Sequence, residues 1–149
     1  MTKNTNRQIL DAWCQRVWAE RDESAIHELF ANSGSAGGLG RDKLGGPDEF
    51  VPFHRAICAL LTDTQLEIDS EVEEGNQMYV LATFSGRSSK TGKKVSMEGS
   101  MAIEFANGQL LHCANHWEFM HLFEQLELLP KDTFATLLGA GRLAHAPAN

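Results

Sequence analysis

The stretch VSMEGSMAIEFANGQLLHCANHWE, residues 95–118, carries the reading on which the fold depends. Val95, Met97, Met101, Ile103 and Phe105 alternate with polar or small residues, the period-two pattern of a strand with one buried face. Asn107-Gly108 then breaks the pattern with two residues that tolerate positive φ, which predicts a two-residue type I′ hairpin turn. Such a turn pairs Phe105 with Leu110, Ile103 with His112, Met101 with Ala114, Gly99 with His116 and Met97 with Glu118. In this register His112, His116 and Glu118 share the apolar face. Leu111, Cys113, Asn115 and Trp117 lie on the other, beside Glu98, Ser100, Ala102 and Glu104, where they suit solvent or a partner subunit.

On an apolar face the charged form of a carboxylate is disfavoured, so Glu118 is a candidate acid/base that exchanges protons near neutrality. His116 is placed to orient it or a ligand, and Gly99 opposite leaves room. The plainer alternatives are a surface carboxylate or helix N-cap for Glu118, a hydrogen-bonded pocket histidine for His116 and a structural role for His112. A metal is disfavoured by the same spacing. Four positions along a strand separate His112 from His116 by roughly 13 Å, too far for one ion bound at about 2 Å to each. The order H-x-E-x-x-H is also not that of the helical zinc-protease motif.

Upstream, the period changes to that of helices. Ile9, Leu10, Trp13, Cys14 and Val17 recur on one face, Asp22 caps a short helix through Ile26, Leu29 and Phe30, and Pro47 opens a third with Phe50, Phe53, His54, Ile57, Cys58 and Leu61 as its stripe. His54 therefore points inward, either as a satisfied core histidine or into a cavity. The Gly/Ser stretch 33–40 reads as a loop or irregular strand. Leu66, Ile68 and Val72 alternate with carboxylates, E-G-N-Q turns the chain into an apolar strand from Met78 to Ser85, and K-T-G-K turns it again. Short helices should follow from about His121 and after Asp132. Helices first and then a meander predict an α+β domain, a curved antiparallel sheet wrapped around the N-terminal helices, with all of residues 1–149 in one domain.

Composition narrows the function. The chain has 149 residues, 42% hydrophobic and 22% charged, which suits one packed globular domain. A formal charge of -7 argues against nucleic acid. No run approaches the roughly 20 apolar residues of a membrane span, and the polar start MTKNTNRQIL does not resemble a signal peptide, so a cytoplasmic location is expected. The three cysteines, Cys14, Cys58 and Cys113, are far apart and read as reduced, buried thiols.

Taken in order, RQILDAWCQRVWAERDESAIHELF, GPDEFVPFHRAI, EEGNQMYVLATFSG, KTGKKV, NGQL and NHWEFMHLFEQL resemble the SnoaL-like polyketide cyclases, over residues 7–129. That family belongs to the nuclear transport factor two-like superfamily, with the ketosteroid isomerases and limonene epoxide hydrolases. The resemblance implies a cone with an internal apolar pocket, dimerisation through the outer face of the sheet, and no metal or cofactor. It also implies a general acid/base where the last strand enters the closing helix, a position matched by Glu118. Relatives carry aspartate there, and the extra methylene moves the carboxylate by about 1.5 Å. The Gly/Ser stretch and a short hairpin at SGRSSKTG depart from the family pattern and alter the pocket mouth. With Tyr79 alone and no Asp-Arg-Asp set, epoxide hydrolysis is not expected.

Two functions follow. One is a cofactor-free cyclase or isomerase in which Glu118, aided by His116, moves a proton alpha to a carbonyl. The other is a homodimer that binds a small hydrophobic molecule without chemistry. In both, Trp13, Val17, Phe50, His54, Met97, Met101 and His112 are the expected pocket wall, core residues first and ligand contacts by location.

Overall fold

A computed structural model describes residues 4–145. The chain divides into two compact units, Met1–Trp117 and Glu118–Asn149. In the first, helix α1 (Asn6–Ala12) begins at Thr5, whose side chain accepts from the Gln8 backbone while Gln8 reaches back to the Thr5 N–H. This reciprocal pair satisfies two donors that a helix start leaves open. The helix widens into a π-helical segment, Trp13–Ala19, that buries Trp13, Val17 and Trp18. Asp22 caps α2 (Glu23–Leu29) as expected, and Pro47 sits in the first turn of α3 (Gly46–Leu60). The Arg21 guanidinium donates to the carbonyls of Cys58 and Leu61, tying the end of α3 to the turn before α2.

The strands are β1 (Phe30–Gly37), β2 (Leu44–Gly45), β3 (Leu61–Glu74), β4 (Gln77–Ser88), β5 (Lys94–Ala106) and β6 (Gln109–Trp117). They form one sheet in the order β2-β1-β6-β5-β4-β3, so β2 and β3 are its edges. The meander β3 to β6 is antiparallel, but β1 joins β6 in parallel, which makes the sheet mixed. Register shifts in β3 and between β5 and β6 mark bulges, which bend strands and curve a sheet. The inner face carries Leu66, Met78, Val80, Phe84, Val95, Met97, Met101 and Ile103, all buried along with Leu10, Ile26 and Phe50 of the helices. Each such side chain contributes roughly 1.5–3 kcal/mol by leaving water.

The β5–β6 register corrects the sequence reading. Asn107 and Gly108 both have positive φ, 52° and 77°, as the type I′ turn requires, and Phe105 pairs with Leu110. One residue on, Glu104 pairs with His112, not Leu111, and the shift persists through Ile103 with Cys113, Met101 with Asn115, Ser100 with His116 and Gly99 with Trp117. Leu111 is thus an extra residue, and one extra residue exchanges every later side chain between faces. His112 and His116 stand exposed on the outer face; Cys113, Asn115 and Trp117 turn inward.

Gly34 explains where the bulge fits. A Cβ there would lie 2.2 Å from the Leu111 carbonyl oxygen and 2.7 Å from the Phe30 ring. The Gly/Ser stretch is therefore a strand whose missing side chains admit the bulged backbone of its neighbour. Gly34→Ala should destabilise the protein by about 1–3 kcal/mol through overpacking, read as a lower urea midpoint. Gly37→Ala on the same strand serves as a comparison, since a Cβ there comes no closer than 3.6 Å to its nearest neighbour, the Lys43 side chain.

In the second unit, α4 (Phe119–Gln125) and α5 (Thr133–His145) match the two expected helices. Phe119 and Phe123 stack in α4 with ring centroids 6.0 Å apart, and the Phe134 backbone N–H donates to Glu124. No helix among the described residues is long and apolar enough to cross a membrane.

Candidate functional site

The interior of the first unit is lined by aromatic rings. Trp13 makes edge contacts with Phe30 and Phe50, Trp18 with Phe50 and Phe84, and Phe84 in turn with Trp117, at centroid distances of 4.9–6.4 Å. Edge-to-face geometry of this kind sets the positive rim of one ring against the negative face of the next. Gly99 allows the last member in, because a Cβ there would be 2.4 Å from the Trp117 ring.

Four polar side chains are buried among the described residues: His54, Thr64, Ser88 and Asn115. The π-helical segment explains two of them. At its end the carbonyls of Val17 and Trp18 receive side-chain donors: Nε2 of His54 is 2.7 Å from the Val17 oxygen, and the Thr64 hydroxyl donates to that of Trp18 at 2.6 Å. Each is a helix-end acceptor that burial would otherwise leave unsatisfied. Ser88 accepts from the backbones of Lys90 and Thr91 in the β4–β5 turn. Asn115 donates to the Gly37 carbonyl across the parallel β1–β6 pair and accepts from Trp117 Nε1 at 3.2 Å. Every buried side-chain nitrogen and oxygen among the described residues has a partner.

None of the buried side chains among the described residues is a carboxylate. Glu118 occupies the N-cap position of α4 in the second unit, and it is exposed. The structure brings Trp13, Val17, Phe50 and His54 together in the interior, and Met97 and Met101 line the inner face of β5. His112 and His116 are not with them. Sequence reasoning missed Trp18, Thr64, Phe84, Asn115 and Trp117. For Asn115 and Trp117 a signal existed: two consecutive leucines, Leu110 and Leu111, already break the alternation.

Burial pushes the thiols of Cys14 and Cys113 up to about 12, so neither is a thiolate nucleophile at neutral pH. Cys113 thereby moves from the expected outer face to the interior. Among the described residues no three of His, Cys, Asp and Glu gather as metal ligands.

His54 is held below its ordinary value chiefly by desolvation, against the opposing bond to Val17. A histidine depressed on folding stabilises the native state above the unfolded value of about 6.5, and that stability is lost as pH falls through the folded value. The urea midpoint should therefore decline on going from about pH 7 to pH 5.5. His54→Phe should flatten that decline and cost about 1–3 kcal/mol at pH 7, because the Val17 carbonyl loses its partner.

Comparison with known proteins places this architecture. The profile of the SnoaL-like domain matches residues 10–113, well over half of the chain and inside the first unit, so the protein belongs to the SnoaL-like family of the nuclear transport factor two-like superfamily. A ketosteroid isomerase-like protein from Catenulispora acidiphila, solved with trimethylamine, shares the fold with a TM-score of 0.73 and 16% identity, over 86% of this chain and 98% of that one. IdmH from Streptomyces antibioticus, named as a polyketide cyclase, aligns at 0.72 and 13% identity, over 83% and 99%. A protein named as a SnoaL-like polyketide cyclase from Jannaschia sp. CCS1 aligns at 0.71 and 11%, over 87% and 100%. At these identities the likeness is one of fold. No protein of curated function matches the chain.

Proposed function

We propose that this SnoaL-like protein binds a small apolar molecule against its aromatic interior, as a homodimer through the outer sheet face, and performs no acid/base chemistry. One observation carries this reading: among the described residues the interior polar groups are tied to the protein's own backbone and rings, and no buried side chain is a carboxylate. General acid/base catalysis needs a titratable group within hydrogen-bond reach of the reacting proton. A binding site needs apolar walls and a few polar groups for orientation.

Phe53 and Trp117 are half-buried aromatics that join this interior through Phe50 and Phe84, and we assign them to the ligand contact. The Asn115 amide is engaged by the Gly37 carbonyl, Trp117 Nε1 and the Cys113 thiol, so the rings supply the contact surface. Dimerisation is supported by Val72, Tyr79 and Leu81, each more than half exposed on the outer face. Unpaired cysteines are consistent with a reducing, cytoplasmic setting.

Native mass spectrometry of freshly purified protein should show a retained small molecule, and adding that molecule back should raise the melting temperature. Trp117→Ala should weaken retention at least tenfold. A β,γ-unsaturated cyclic ketone incubated with the protein in D2O should take up deuterium no faster than in buffer. Protein-dependent uptake that Glu118→Gln abolishes would replace the binding reading with the acid/base one.

A further inference from the structure

The bulge leaves a patterned surface on the outside of the sheet. β6 and β5 occupy its middle, and their outward side chains stand level with each other: His112 with Glu104, Ala114 with Ala102, His116 with Ser100. One strand thus carries imidazoles and its neighbour a carboxylate, with small residues between.

We propose that a second copy of this chain docks on these columns through reciprocal His112–Glu104 contacts, and that the dimer tightens as pH falls. The inference rests on the dimer reading above and adds its register and regulation. In a closed pair the contacting patches must be self-complementary under a twofold axis. An axis running between β5 and β6, parallel to them and midway between two stacked sheets, lays β6 of each copy over β5 of the other. His112 then faces the partner's Glu104, Glu104 faces the partner's His112, and His116 meets the partner's Ser100. Ala102 and Ala114 at the centre let the sheets approach to about 10 Å, the usual face-to-face spacing.

Ser35 on β1 fixes the ring that makes the contact. Its hydroxyl lies 2.9 Å from His112 Nδ1, which leaves Nε2 for the second copy. The groups facing His112 are few. Glu104 comes from β5, β1 contributes no ionisable side chain, and Lys43, ahead of β2, lies over Gly37. Residues 95–117 hold no lysine or arginine, so within β5 and β6 the imidazoles are the groups that can offer Glu104 of the second copy a positive charge. Histidine changes charge between about pH 5 and 8. An imidazole that gains a carboxylate on association holds its proton more firmly in the dimer, so association takes up protons. The gain is full at low pH, fades as pH rises, and is lost again once carboxylates protonate below about pH 4.5.

Sedimentation velocity across a concentration series, at pH 6.0 and 8.0 and equal ionic strength, tests this. Two such pairs should make the dimer about tenfold tighter at pH 6.0. His112→Gln and Glu104→Gln should each remove the difference, and His112→Glu should give monomer at both pH values. The exchange His112→Glu with Glu104→His should restore a pH-dependent dimer, and far-UV circular dichroism checks that each variant is folded. A wild-type dimer equally tight at both pH values overturns this inference and leaves the dimer reading intact, as does a pH response that survives both glutamine substitutions. Monomer throughout overturns both.

Discussion

The bulge at Leu111 governs the chemistry of the sheet, because side chains alternate and one extra residue reverses every position beyond it. Without it, two histidines would crowd the aromatic interior while a tryptophan and a cysteine faced outward. With it, Trp117 completes the series of rings that begins at Trp13, and the outer face receives the imidazoles. The bulge depends in turn on Gly34, since no other residue leaves space for the Leu111 carbonyl. A glycine on one strand therefore decides which side chains its neighbour turns inward.

A second constraint is the widened turn of the first helix. The π-helical segment directs two tryptophans and a valine inward within six positions and delivers the carbonyls of Val17 and Trp18 to buried donors. His54 and Thr64 come from α3 and β3, so these bonds bind helix, helix and sheet into one body. Histidine here acts as a neutral donor in a dry place, as its desolvation implies.

Much of the fold was legible because its signals are local. Asp22, Pro47 and Asn107-Gly108 act through their own backbone geometry, and each stands where its chemistry predicts. The burial of the helix residues Trp13, Val17, Phe50 and His54 followed from helical spacing alone. The candidate site on β6 was not legible in the same way. A turn sets the pairing of the residues beside it, but Leu111 responds to β1, a strand more than seventy positions away in sequence. That strand was hidden because FANSGSAG lacks the β-branched and aromatic run that marks strands, and it pairs in parallel through a non-local contact.

The edge strand β3 has a consequence of another kind. It runs 14 residues with one side of its backbone unpaired, a length that invites a foreign strand to extend the sheet. Glu67, Asp69, Glu71, Glu73 and Glu74 stand along it, so an identical edge arriving in solution meets a row of like charge. The same carboxylates give a bonded finish to one end, where Arg7 and Asn6 of α1 reach Glu71 and Glu73. Repulsion of this type is screened within about 10 Å at 0.1 M salt, so the colloidal behaviour of the protein is coupled to ionic strength through this edge strand.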